Sequence, residues 1–169
     1  MTDDLAARFQ EWANLVPYPF DIVEYVERVA EYRGRRIVLC PIDVGALAGT
    51  GCGTGSGLWI QQTDHDVIMY GAETRDHAYH IIGHEIGHML HDHAPGAGEP
   101  AGVPDDLPLL EFMPELSLDS IRSVLRRQDY DNEKEREAET FADMLLVYAT
   151  LPRRKPSKFR STFFPRRHR

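Results

Sequence analysis

Apolar residues recur along this chain in two rhythms, one helical and one strand-like. Leu5, Phe9 and Trp12 repeat at helical spacing and predict a short helix over residues 5–15, which Pro17-Tyr18-Pro19 breaks. A second helix over 21–32 gathers Ile22, Val23, Val26, Val29 and Ala30 on one side, with Gly34 as its stop. Ile37, Val38 and Leu39 in succession make 36–40 a strand. Two more strands, 58–62 and 67–70, read as a hairpin turning through Thr63-Asp64-His65-Asp66. A helix over 76–91, capped by Asp76 or Thr74, buries Ala78, Ile81, Ile82, Ile86, Met89 and Leu90. Pro, Gly and acidic residues crowd 94–108, which reads as a loop, and 117–127 reads as a short helix. The last helix, 132–148, sets Ala138, Phe141, Ala142, Leu145, Leu146 and Ala149 on one stripe. The chain contains no internal repeat. These elements predict an α+β domain, a small three-stranded sheet packed against helices.

At 169 residues the chain fits one domain, long enough to bury roughly 70% of its unfolded surface. The longest apolar run, 144–149, is far too short to span a bilayer. Met1-Thr2-Asp3-Asp4 opens no basic, then apolar, leader. Cys40, ending a strand and expected to be buried, and Cys52, in a Gly-rich stretch, make no disulfide framework. The expected setting is therefore cytoplasmic and reducing. The net charge of -8 conceals an asymmetry: residues 152–169 carry eight Arg/Lys and no acid, while the rest of the chain sums to -16. This predicts a globular part over 1–151, with an N-terminal helical segment over 1–19 and a Pro/Gly-rich loop over 94–116, followed by a basic tail over 152–169. Such a tail reads as a loose solubilising end or as a surface for nucleic acid or acidic partners.

The candidate chemistry lies in the 76–91 helix, where His84-Glu85-Ile86-Gly87-His88 spells H-E-x-x-H. Residues four apart share a helix face, so His84 and His88 can turn two imidazoles toward one metal ion. Glu85, one position round, can reach a metal-activated water as general base. Two histidines need at least one more protein ligand. A metzincin site requires Gly at position 91 and His at position 94, and the chain has His91 and Ala94, which excludes that class. A gluzincin site takes a Glu from a later helix, and Glu135-Arg136-Glu137-Ala138-Glu139 offers one. Glu135 borders the buried stripe of the last helix, and Glu139, one turn on, is placed to accept a hydrogen bond from a ligand histidine.

H-E-x-G-H followed by E-R-E-A-E-x-F-A-x-x-L-L resembles the ImmA/IrrE family of bacterial metallopeptidases. The upstream order is similar too: a helix, an Arg-Gly-Arg lead into a strand, a Gly-rich loop and a strand pair before the metal helix. The resemblance covers residues 20–150. It implies a minimal gluzincin-like fold, with the sheet against an active-site H-E-x-x-H helix and a second ligand-bearing helix. It also implies one Zn²⁺ per chain held by His84, His88 and Glu135, with Glu85 as catalytic base. Such proteins commonly cleave a helix-turn-helix repressor, so a transcriptional repressor is the implied protein partner. Where the family usually has Asp or Asn, this chain has Glu139.

The expected activity is therefore that of a zinc metalloendopeptidase acting on a regulatory protein. The alternative is a zinc-containing binding protein that sequesters its partner without cutting it. A third reading gives the basic tail a DNA-binding duty, but no DNA-reading motif accompanies it. Other tempting residues have plainer roles. The stretch Gly49-Thr50-Gly51-Cys52-Gly53-Thr54-Gly55-Ser56-Gly57 has no Lys and fits no phosphate-binding register, so it reads as a loop. His77, His80, His91 and His93 read as surface residues or supports around the site, His65 as a turn residue, and Tyr130 as a capping or core tyrosine. Trp59 and Ile60 belong to a strand whose edge suits an extended peptide.

Overall fold

The structure, a computed structural model, describes residues 2–44, 57–93 and 132–152. The expected loop over 94–116, the helix over 117–127, Cys52 and its Gly-rich stretch up to residue 56, Tyr130, and the tail from 153 onward lie outside the described residues. Among the described residues are four α-helices, one turn of 3₁₀-helix and one three-stranded sheet, a mixed α+β architecture. In chain order these are α1 (Thr2–Trp12), the 3₁₀ turn (Ala13–Leu15), α2 (Ile22–Arg33), β1 (Arg36–Pro41), β2 (Gly57–Gln61), β3 (His65–Tyr70), α3 (Arg75–Leu90) and α4 (Asn132–Thr150). No helix among them is long and apolar enough to cross a membrane.

Local chemistry fixes the helix ends. Asp21 caps α2, its Oδ1 accepting from the backbone N–H of Val23 and of Glu24 at 2.9 Å each. Gly34 ends α2 at φ 64°, the left-handed conformation that costs a residue without Cβ least. Thr74 rather than Asp76 caps α3, with Oγ1 3.2 Å from the N–H of His77. Val23 does not join the buried side of α2; it is 54% exposed, because Ile22, Tyr25, Val26 and Val29 already fill the stripe.

β3 is the central strand: β1 pairs with it in parallel and β2 antiparallel, giving the order β1-β3-β2. Leu58, Trp59 and Ile60 of β2 and Val67, Ile68 and Met69 of β3 are all buried, as expected of strands covered on both faces. β1 is half-buried along most of its length, Cys40 included. His65 is the first residue of β3, opposite Arg36, and not part of the turn.

Asp66 of β3 is fully buried and meets two guanidiniums, Arg33 Nη2 at 3.2 Å and Arg35 Nε at 2.9 Å. Arg35 also donates to the carbonyls of Gln62, Thr63 and His65, which holds the β2–β3 turn. Arg33 donates to the carbonyl of Met89 near the end of α3 and lies over the Trp59 ring, 5.5 Å from its centroid. One buried carboxylate thus ties α2, the hairpin and the end of α3 together.

α3 packs on α4 through small residues. A Cβ on Gly87 would lie 3.1 Å from Ala138 Cα and 3.2 Å from its carbonyl oxygen, and one on Gly83 would lie 3.2 Å from Leu145 Cδ2. Glycine therefore lets the two helices approach so closely that a Cβ at either position would be tightly crowded. α1 covers the other side of α4, where Phe9 and Trp12 meet the Phe141 ring edge-on at 5.6 and 5.8 Å.

Candidate metal centre

The close approach of α3 and α4 sets two rows of side chains face to face. His80, His84 and His88 recur every four residues on α3; Glu135, Glu139 and Asp143 recur every four on α4. His84 Nε2 lies 3.0 Å from His88 Nε2 and 3.5 Å from Glu135 Oε2, and His88 Nε2 lies 3.4 Å from Glu135 Oε1. Two ligands about 2.0–2.1 Å from a tetrahedral ion stand roughly 3.4 Å apart. The three donors therefore already have the mutual spacing of ligands sharing one ion, and His₂Glu is a donor set that suits zinc. The histidine side chains are 12% and 4% exposed and Glu135 is 26% exposed, so access from solvent lies on the Glu135 side.

Electrostatics follow the geometry. Burial is the largest single influence on His84 and acts to lower its pKa, but Glu135, Glu85 and Glu139 together outweigh it and hold the imidazole above its ordinary value. Burial likewise acts to raise Glu135, and the hydrogen bonds from His84 and His88 overcome it, leaving the carboxyl well below the usual range.

Glu85 is buried, 1% exposed, on the side of α3 that faces the start of β2. A Cβ on Gly57 would fall 2.8 Å from Glu85 Oε1, so the carboxylate lies directly against that strand. It is also close enough to His84 to raise the proton affinity of that ring. Glu139 sits where the sequence puts it: its Oε2 is 3.2 Å from His84 Nδ1, the nitrogen turned away from the three-donor cluster. Its other oxygen lies 3.5 Å from His80 Nε2, which is also 3.4 Å from Asp143 Oδ1.

Sequence reasoning left His93 as a surface residue or a support around the site and did not single out Glu137. His93 is buried, with Nδ1 3.1 Å from His88 Nδ1 and Nε2 3.0 Å from Glu137 Oε2. Burial first, and the neighbouring His88 second, push the His93 imidazole down to about 4. The available signal was local: an Asp-His pair just past the end of a helix whose last turn carries a candidate ligand. His91 stacks on His93 with centroids 5.4 Å apart and meets Trp12 edge-on at 5.1 Å. His77 is exposed. The groups His91/His93/Glu137 and His80/Glu139/Asp143 each also bring their donor atoms within 4.8 Å of one another.

Compared with known proteins, the chain matches no family model, no curated protein and no solved structure.

Proposed function

We propose that this protein is a zinc-dependent endopeptidase of gluzincin type that cuts a regulatory protein. The observation that carries the reading is the meeting of His84, His88 and Glu135 at ligand spacing, with the buried Glu85 carboxylate on the same helix. A structural zinc site closes all four positions with protein ligands. Three donors with one side toward solvent, beside the Glu85 carboxylate, suit a site where water and substrate enter.

A bound zinc ion supplies Lewis acidity that brings the pKa of water to about 7. The protein's own groups do the rest. Glu85 takes the proton as water attacks the scissile carbonyl, and returns it to the departing amine. His84 is kept in one tautomer by Glu139, so that Nε2 stays available to the metal. β2 pairs with β3 along one edge, but Leu58 and Ile60 are 0% exposed, backbone included, so its other edge offers no open ladder for a docking peptide, and the choice of a polypeptide substrate rests on the motif.

The similarity of these motifs to the ImmA/IrrE family extends the proposal to a helix-turn-helix repressor as substrate, in the cytoplasm where such repressors act. The deciding experiment pairs wild type with Glu85→Gln and incubates each with such a repressor. The expected result is full zinc content in both, two repressor fragments from wild type and none from the variant. Cleavage by Glu85→Gln at the wild-type rate rules the mechanism out. An intact repressor held in a stable complex by wild type supports sequestration instead.

A further inference from the structure

α3 does not simply stop after His88; it closes in a Schellman turn that delivers a second histidine to the first. His91 is the C-cap, and Asp92 follows with φ 54°, in the left-handed region normally filled by glycine. The Asp92 N–H reaches back to the Met89 carbonyl at 3.4 Å, and the His93 N–H to the His88 carbonyl at 2.9 Å. These are the two hydrogen bonds that define the motif. The turn ordinarily brings an apolar residue at its last position against one in the final helical turn. Here those two positions are His93 and His88, and their rings meet nitrogen to nitrogen at 3.1 Å.

Proton bookkeeping gives that contact a direction. His88 Nε2 faces His84 and Glu135 and must present a lone pair to a metal. A neutral His88 then carries its hydrogen on Nδ1 and donates it to His93 Nδ1. With Nδ1 accepting, a neutral His93 carries its own hydrogen on Nε2, which points at Glu137 Oε2 3.0 Å away. Each hydrogen has one donor and one acceptor, and the carboxylate ends the chain. The same inventory leaves His93 no lone pair for a second ion once His88 holds the first.

We propose that His93 and Glu137 are positioning residues that lock the tautomer and ring orientation of His88, while Glu139 separately does so for His84. This rests on the zinc-site reading above and deepens it: each ligand histidine has its own carboxylate-terminated support, one direct and one relayed through an imidazole. The relay is packed in place by His91, stacked on His93, and by Trp12 beyond it.

The test measures zinc affinity by chelator competition, and the visible spectrum of the cobalt-substituted full-length protein, for wild type, His88→Ala, His93→Phe, His93→Asn and Glu137→Gln. Phe fills the space of His93 without accepting a hydrogen, whereas Asn offers an oxygen to the His88 N–H. Removing such a support costs about 10–100-fold in metal affinity. The expected result is a loss of that size with an altered cobalt spectrum in His93→Phe, most of it restored in His93→Asn. Glu137→Gln, a conservative change on a partly exposed helix face, is expected to lose about tenfold, and it carries the test if His93→Phe fails to fold. Metal binding lost in His88→Ala but unchanged in His93→Phe and Glu137→Gln overturns the relay alone. Equal losses in His93→Phe and His93→Asn, with Glu137→Gln like wild type, reduce His93 to a packing residue. Metal binding that His88→Ala leaves unchanged overturns the zinc-site reading and the relay with it.

Discussion

Gly87 shows how much a single position decides here. It is the fourth letter of the H-E-x-x-H stretch, where the motif itself places no demand, yet a Cβ there would press on the Ala138 backbone at 3.1 Å. Gly87→Ala is expected to destabilise the protein by about 1–3 kcal/mol, as overpacking does. It should also weaken zinc binding, because separating α3 from α4 moves Glu135 away from both histidines. Denaturant melts and metal titration of the same variant check the two effects together; unchanged zinc affinity would mean that Glu135 is not a ligand. Some residues were legible in the sequence and some were not. Gly34 acts through local backbone chemistry, so its role as the stop of α2 was read off directly, and Thr74 was one of the two caps the sequence offered for α3. His84, His88 and Glu135 were found because helical spacing and ligand chemistry coincide. His93 could be read only as a surface residue or a support, because its placement against His88 depends on a left-handed Asp92, which residue identity alone does not signal.

At the scale of elements, the apolar stripes of α3 and α4 were legible because buried helix faces repeat at 3.6 residues. Which faces of the two helices meet was only partly so. The approach depends on Gly83, Gly87, Ala138 and Ala142, small residues that give a hydrophobicity pattern little to register. The sheet was read as three strands with a hairpin, and the strands and hairpin are present. Its order, with β1 parallel to the central β3, depends on non-local pairing that no window of sequence contains. Asp66 belongs to the same class of information. It alternates with nothing apolar and reads as a turn residue, but it is the anchor between α2, the hairpin and α3. Asp66→Ala leaves two guanidiniums facing each other in a partly buried site. We expect a loss of about 2–3 kcal/mol, at or below the range for a broken buried pair because Arg33 and Arg35 retain some contact with solvent. Chemical denaturation checks the size, and a loss below about 0.5 kcal/mol would mark the cluster as a surface feature.

For the molecule as a whole, the proposed zinc site makes metal binding and folding one equilibrium, because its candidate ligands from α3 and α4 converge only in the folded chain. Free zinc at a hundred times its dissociation constant is expected to add about 2.7 kcal/mol of stability. For a domain of this size that is a rise in melting temperature of roughly 5–10 °C, reversed by chelator. The pH dependence has a definite sign. Protons compete with zinc for the histidine nitrogens, and the carboxylates around His84 hold its pKa above the ordinary value. The zinc-dependent rise is therefore complete on the alkaline side and starts to shrink once pH falls below that raised value, sooner than for an ordinary imidazole. Melting with and without zinc between pH 8 and pH 5.5 reads this directly, and a thermal shift that grows on acidification would contradict it.

Gly57 also sets a boundary for anyone who rebuilds this protein. A Cβ there would lie 2.4 Å from Ile81 Cγ2 as well as 2.8 Å from Glu85 Oε1. It looks like the last glycine of a permissive run, and in the fold it is the first residue of a strand pressed against the metal helix. A substitution that leaves the strand and the helix undisturbed therefore has to stop before residue 57. A side chain at residue 57 pushes on Ile81 and on the Glu85 carboxylate, the base of the proposed reaction, so diversity in this part of the chain stops one residue short of where the glycines do.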